Sequence, residues 1–147
     1  MSLHSYSRCW LHLIWCTLNR EPLLPQKETR KKVSAFLYEY SASKNIYMKK
    51  NYVNSEHVHA LIDLPMNIPI EEMMQLLKGS SSHWINSERI IPEKFNWRRG
   101  YAALSVSESV VDKLVKYIET QEEHHRIKNF TEEYELFIKS YGMKFIP

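Results

Sequence analysis

Two histidines, His57 and His59, lie one residue apart in the segment HVHALIDL, residues 57–64. The segment is apolar enough to predict a strand. Residues two apart in a strand share a face, about 6.6 Å from each other along the backbone, so both imidazoles point the same way. Imidazole nitrogen is a common ligand for divalent cations. The pair therefore indicates a metal site, although a chain with seven histidines needs a third ligand before the motif becomes specific.

A second pair of polar residues, Tyr117 and Gln121, lies in KYIETQEEHH, residues 116–125. Residues four apart share a helix face, and these two border the apolar stripe of a predicted helix. We therefore expect them where that helix meets a sheet. Taken singly, Tyr117 is more simply a core residue and Gln121 a surface residue. Paired imidazoles, a phenol and an amide together form a set suited to phosphodiester exchange.

The elements that would position these residues follow the order β-α-β-β-α-β. Strands are predicted at residues 7–18, 46–54, 57–64 and 101–106, and helices at residues 26–45, 68–88 and 108–125. Ser107 is the predicted N-cap of the third helix, and the tail is expected to add a short helix. This order is typical of the α+β ferredoxin-like fold, a four-stranded antiparallel sheet with helices on one face. Without repeats or long linkers, residues 1–147 are expected to form a single domain.

Length and composition limit the classes of function. The chain has 147 residues, of which 44% are hydrophobic and 25% charged, as in a globular domain. No apolar run is long enough to cross a membrane and the start does not resemble a signal peptide, so we expect a cytoplasmic protein without a membrane partner. The net charge of +3 permits a nucleic-acid partner. The three scattered glycines argue against a P-loop or Rossmann nucleotide site.

Four segments carry a resemblance to a known family: HVHALIDL, LLKGSSSHWIN, GYAALSVSES and KYIETQEEHH. Together they resemble the single-tyrosine HUH transposases of bacterial insertion sequences, the insertion-sequence-200-like transposases, whose relatives act on repetitive extragenic palindromes. The resemblance extends from about His12 to about Lys128. The histidine–hydrophobe–histidine triplet and the Tyr-Ile-x-x-Gln spacing are its most specific parts.

The resemblance implies a mechanism. His57, His59 and Gln121 would bind one divalent cation, Mg²⁺ or Mn²⁺, at a site whose lack of cysteine argues against structural zinc. Tyr117 would attack single-stranded DNA, giving a 5′-phosphotyrosine and a free 3′-OH, and reversal with another 3′-OH would rejoin the strands. The expected partners are hairpin-forming element ends and a second copy of the chain. In such a homodimer the tyrosine helix of one subunit completes the histidine site of the other.

Candidate DNA contacts lie in FNWRRGY, residues 95–101, because stacking aromatics and cations hold single strands. Trp97, Arg98 and Arg99 are the candidates there, and Lys78 is a candidate phosphate contact. The alternative is that the aromatics belong to the core and the arginines are solvated. His12 shares a strand face with Trp10, and we interpret it as a core histidine, with a site role as the alternative.

Two other functions fit parts of the sequence. A ferredoxin-like sheet with exposed aromatics is typical of RNA-recognition modules, but such a module lacks a use for the two histidines and Gln121. A metal-dependent phosphoesterase that uses water would need the histidines, and Tyr117 would then have only a structural role.

Overall fold

A computed structural model of the protein describes residues 5–122 and 129–147. Its strands are β1 (Trp10–Cys16), β2 (Tyr47–Val53), β3 (His57–Asp63) and β4 (Ala102–Ser105). Its helices are α1 (Lys27–Ser43), α2 (Ile70–Ser87), α3 (Val111–Glu119) and α4 (Phe130–Ser140), with 3-10 turns at Leu18–Arg20 and Glu108–Val110. Within these described residues, no helix combines the length and the apolar character needed to cross a bilayer.

The four strands form one antiparallel sheet in the order β2-β3-β1-β4. β1 is central and pairs with both β3 and β4, and its Ile14 lies opposite His59. β2 and β3 are joined by a tight turn in which the Asn54 amide donates to the His57 carbonyl at 2.8 Å. The predicted α+β class and the four-stranded ferredoxin-like sheet are confirmed.

The two faces of the sheet have different environments. α1 and α2, the helices of the βαββαβ unit, pack on one face as predicted. Alternate strand residues point into this main core together with the apolar stripes of the two helices: Leu11, Leu13, Trp15, Val58, Ala60, Ile62, Val33, Leu37, Met73, Leu77 and Ile85. Burial of each large side chain contributes about 1.5–3 kcal/mol. The residues between them, including His57 and His59, point to the opposite face.

The helices α3 and α4, which follow β4, cover this opposite face. Val111 and Ile118 of α3 pack on Trp10 and Leu61. Phe130 of α4 joins a separate cluster whose other buried members are Ile14, Cys16, Ala102 and Leu104. Asn129 caps α4, because its side chain accepts from the Glu132 amide at 2.9 Å. The face that carries the histidines is therefore enclosed by the chain that follows the sheet.

The prediction of one continuous helix at residues 108–125 is wrong, because the segment is interrupted. Ser107 precedes the 3-10 turn and its side chain makes no capping bond within the described residues. α3 ends at Glu119, a turn follows at Thr120, and residues 121–122 are again helical, whereas His124 and His125 lie outside the described residues. The Thr120 hydroxyl donates to the carbonyl oxygens of Lys116 (3.0 Å) and Tyr117 (3.3 Å). Such bonding back to the preceding turn bends helices.

Candidate active site

The histidines of β3 are enclosed between the sheet, α3 and α4, and we call the space around their side chains the pocket. Both side chains are fully buried, and their ring centroids lie 5.0 Å apart. Nδ1 of His57 lies 2.7 Å from Oε1 of Glu56. When Glu56 accepts the Nδ1 proton, Nε2 of His57 is left as the atom that faces the pocket.

His12 belongs to the site as well as to the core. It is 2% exposed, and its Nε2 lies 2.8 Å from Nδ1 of His59. Burial, followed by the neighbouring His59, lowers the pKa of His12 well below 6.5, so its imidazole is neutral at pH 7. Sequence reasoning favoured a core position for His12 and left a site role as the alternative. The missed signal was its position on the β1 face that adjoins the histidine face of β3.

Glu133 of α4 is the second site residue that sequence reasoning missed. Its Oε1 lies 3.0 Å from Nε2 of His59 and 3.9 Å from Nε2 of His57. The ligand atoms of these three residues all lie within 4.8 Å of one another. Two imidazole nitrogens and a carboxylate oxygen are donors that divalent cations accept. This buried His-His-Glu group could therefore hold a metal ion.

Tyr117 and Gln121 lie beside the histidines of their own chain. The Tyr117 hydroxyl donates a hydrogen bond to Oε2 of Glu133, and its ring centroid lies 6.0 Å from that of His59. Nε2 of Gln121 donates to the same carboxylate oxygen at 3.3 Å. Gln121 is fully buried, and its Oε1 has no hydrogen-bond partner within the described part of the chain. Tyr117 and Gln121 thus meet at the pocket across the turn at Thr120 rather than along one unbroken helix.

The phenol of Tyr117 is held in its neutral form. Burial raises the pKa of Tyr117 above its ordinary value of 10.0, and the hydrogen bond to Glu133 and the charge of this carboxylate raise it further. A cleft of about 230 Å³, lined in part by His12, Lys113 and Phe137, reaches the phenol. The pocket therefore brings together a phenol, a carboxylate that accepts its hydrogen bond and potential cation ligands.

Comparisons with known proteins identify the family of this chain. Residues 5–121 match the model of a family described as transposase, IS200-like. The chain belongs to this family. The ISDra2 transposase TnpA of Deinococcus radiodurans is 27% identical over 115 residues, which cover 75% of this chain and 81% of that protein. The resemblance stated from the motifs is confirmed, and with it the general activity of a transposase.

Solved structures show the same fold. A crystal structure from Deinococcus radiodurans R1, described as that of a transposase, matches this IS200-like transposase with a TM-score of 0.64 at 24% identity. It covers 82% of this chain and 96% of that one. A REP-associated tyrosine transposase bound to a REP hairpin matches with a TM-score of 0.59 at 14% identity, over 85% of this chain and 74% of that one.

The candidate DNA-binding residues of the transposase lie apart from the pocket that contains the histidines. Lys78 and Arg99 line a second cleft, of about 590 Å³, together with Tyr101. Lys78 donates to the carbonyl oxygens of Arg98 (2.9 Å) and Gly100 (2.8 Å) and so holds the loop before β4, and burial lowers its pKa. DNA contact by this cleft stays a prediction.

Of the remaining two candidates, Trp97 packs against the main core and Arg98 makes an exposed hydrogen bond. The indole N–H of Trp97 donates to the Ser81 hydroxyl at 2.9 Å, and its ring meets those of Trp15 and Phe95 edge-on. Arg98 donates to the carbonyl oxygen of Pro147 at 3.1 Å. Their contact with DNA also stays a prediction.

Proposed function

We propose that this transposase cuts and rejoins single-stranded DNA through a 5′-phosphotyrosine intermediate on Tyr117, with a divalent cation bound beside it. The observation that carries the proposal is the convergence of Tyr117, Gln121, His57 and His59 around one carboxylate in a buried pocket. A water-using phosphoesterase would not need a phenol at this position, and a binding module would need none of these groups.

The residues present fit a Mg²⁺ or Mn²⁺ ion. Gln121 Oε1 is a buried oxygen without a hydrogen-bond partner in the described residues, and a cation would satisfy it. His57 and His59 would supply one nitrogen each, with their other nitrogens near Glu56 and His12. When bound, the cation would polarise the scissile phosphate and neutralise charge that develops during displacement.

The protein groups account for the proton and bond changes. The Tyr117 oxygen bonds to phosphorus while the bond from phosphorus to the 3′ oxygen breaks, and the released 3′ oxygen takes a proton from solvent. The phenolic proton passes to the Glu133 carboxylate that already accepts it in a hydrogen bond. Rejoining reverses these changes, because another 3′-OH attacks the phosphotyrosine and Tyr117 recovers its proton. The covalent link retains the bond energy, so no ATP is required.

The proposed partners are single-stranded DNA with hairpin-forming ends and a second copy of the chain. Lys78, Trp97, Arg98 and Arg99 are the proposed DNA contacts. A relative of the same fold binds a REP hairpin, which supports a DNA hairpin as the ligand here. In the proposed homodimer the tyrosine helix acts in trans. Because Tyr117 lies beside the histidines of its own chain in the structure, this arrangement requires exchange of α3 between subunits.

A covalent-adduct assay tests the chemistry. The protein is incubated with Mn²⁺ and labelled single-stranded hairpin DNA, and an adduct that survives denaturation is expected from the wild type. Tyr117→Phe should form none, whereas Tyr40→Phe is the matched control, since Tyr40 lies on α1 at the opposite face of the sheet, where its ring stacks on that of Phe36. Cleavage without an adduct would indicate a hydrolase, and binding without cleavage would indicate a non-catalytic module.

A mixing experiment tests the dimer. Tyr117→Phe lacks the nucleophile and His57→Ala lacks a cation ligand, so each should be inactive alone. If the tyrosine helix acts in trans, a mixture of the two variants regains adduct formation, because one kind of site in the mixed dimer is intact. A mixture that stays inactive although the chains demonstrably dimerise would show that Tyr117 acts within its own chain.

A further inference from the structure

Glu133 is a buried carboxylate that the family match does not cover. It lies on α4, beyond the matched residues 5–121, and its side chain is only 6% exposed. A carboxylate withdrawn from water to this degree is costly unless charged or polar groups compensate it. The groups around it therefore indicate its role.

The two carboxylate oxygens of Glu133 contact different parts of the site. Oε1 faces the two imidazoles of β3, 3.0 Å from Nε2 of His59 and 3.9 Å from Nε2 of His57. Oε2 accepts from the Tyr117 hydroxyl and from the Gln121 amide. One side chain thus links both proposed nitrogen ligands to the nucleophile and to the amide ligand.

The charge of the site also favours a role for Glu133 in cation binding. Two neutral imidazoles and one amide bring no negative charge to a divalent cation, whereas Mg²⁺ and Mn²⁺ favour carboxylate oxygen. We propose that Glu133 is an additional, anionic ligand of this cation, bound through the oxygen that faces the imidazoles. The proposal rests on the proposed function, in which His57, His59 and Gln121 bind the ion.

α4 fixes the position of this carboxylate before any ion arrives. The ring of Phe130 stacks on that of His57 with 3.9 Å between centroids, and the ring of Phe137 meets that of Tyr117 edge-on at 5.5 Å. These phenylalanines lie three residues before and four residues after Glu133, on the same helix face. The helix therefore presents Glu133 in a rotamer already held by its surroundings, which lowers the entropy cost of binding.

Manganese binding tests the role of Glu133 independently of activity. Mn²⁺ is titrated into the full chain, and free Mn²⁺ is followed by electron paramagnetic resonance. Glu133→Gln keeps the shape of the side chain and removes its charge, and we expect its affinity for Mn²⁺ to fall by about tenfold or more, since even outer-shell partners of a metal site are worth 10–100-fold. Glu135→Gln is the matched control on α4, where Glu135 pairs with Lys139 at 2.6 Å, and its affinity should equal that of the wild type.

The outcomes separate this proposal from the proposed function. If His57→Ala loses Mn²⁺ and Glu133→Gln binds it as the wild type does, Glu133 is not a ligand and the metal dependence stands. If the wild type does not bind Mn²⁺, both proposals fail. Circular dichroism checks folding. Should Glu133→Gln not fold, infrared spectroscopy of the wild type decides, because a carboxylate-stretch band that does not shift on addition of Mn²⁺ overturns the ligand role.

Discussion

Nε2 of His12 lies 2.8 Å from Nδ1 of His59, and the two rings stack with 5.1 Å between centroids. The contact joins the central strand to the strand that carries the proposed ligands. A histidine bound to a metal through Nε2 carries its proton on Nδ1 and donates it to a neighbour. The neutral imidazole of His12 can accept that proton, and without a cation it can donate to the same atom instead. His12 can therefore keep its hydrogen bond to His59 both with and without a bound cation.

We predict that His12→Phe weakens cation binding while the fold is retained. Phenylalanine fills the space but offers no acceptor for the Nδ1 proton of His59, so the affinity for Mn²⁺ should fall by about 10–100-fold, as for other outer-shell partners. Calorimetric titration with Mn²⁺ measures the change. The exposed His83 provides the control His83→Ala, which should bind as the wild type does, and His12→Gln should recover part of the affinity. An unchanged affinity in His12→Phe would assign His12 to packing alone.

His57 and His59 could be paired from the sequence because strand periodicity is local, whereas the spacing of Tyr117 and Gln121 assumed an unbroken helix that the turn at Thr120 interrupts. Residues two apart in a strand share a face whatever the rest of the fold does. His12 could not be assigned in this way. Its partner lies 47 residues further along the chain, and the strand register that joins them is a property of the whole sheet.

We predict that Trp97→Ala lowers the stability of the fold more than it weakens DNA binding. The half-buried indole packs against Trp15 and Phe95 and donates to Ser81, so its loss should lower the free energy of unfolding by about 2–4 kcal/mol. Urea denaturation followed by circular dichroism measures this change. Trp97→Phe, which keeps an aromatic ring in the cluster, should lose clearly less stability. An unaltered denaturation midpoint in Trp97→Ala would mean that the indole contributes little to packing.

We predict that Arg99→Ala affects DNA binding rather than stability. Its side chain is exposed and lines the cleft next to Tyr101, so we expect no change in the free energy of unfolding but weaker binding of single-stranded DNA. Loss of one phosphate contact on a single strand should reduce the slope of log affinity against log salt by about 0.7. Fluorescence anisotropy with labelled DNA over a range of salt concentrations measures the slope. An identical slope in wild type and variant would remove Arg99 from the DNA-binding surface.

The phenol of Tyr52 predicts that the stability of the fold depends on pH in the alkaline range. Burial, and then the charge of Glu122 and the hydrogen bond to it at 3.3 Å, raise the pKa of Tyr52 from 10.0 to about 12. A raised pKa means that the fold favours the neutral phenol, so this contribution to stability is present below about pH 10 and is lost as the pH rises towards 12. In Glu122→Gln the pKa of Tyr52 should fall towards 10. Ultraviolet absorbance of phenolate measures the titration, and Tyr52→Phe identifies the band. Identical titrations of wild type and Glu122→Gln would contradict the assignment.

Glu133 shows what the sequence could not indicate. The tail was expected to form a short helix, and α4 is that helix, but a glutamate within an amphipathic segment ordinarily faces solvent. Its burial depends on how α4 docks over the histidine face, which local periodicity does not specify. The turn at Thr120 escaped prediction for a related reason, because hydroxyl bonding to the preceding carbonyls competes with helix continuation without leaving a distinct motif.

The alternation of β1 and β3 between the two faces has a consequence for mutational tolerance. Leu13 and Ala60 belong to the main core, whereas their sequence neighbours His12 and His59 belong to the candidate site. Substitutions at these adjacent positions should therefore produce two kinds of defect. Changes at Leu13 or Ala60 would deplete the protein from cells through unfolding and degradation, and changes at His12 or His59 would leave abundant protein that cannot move DNA.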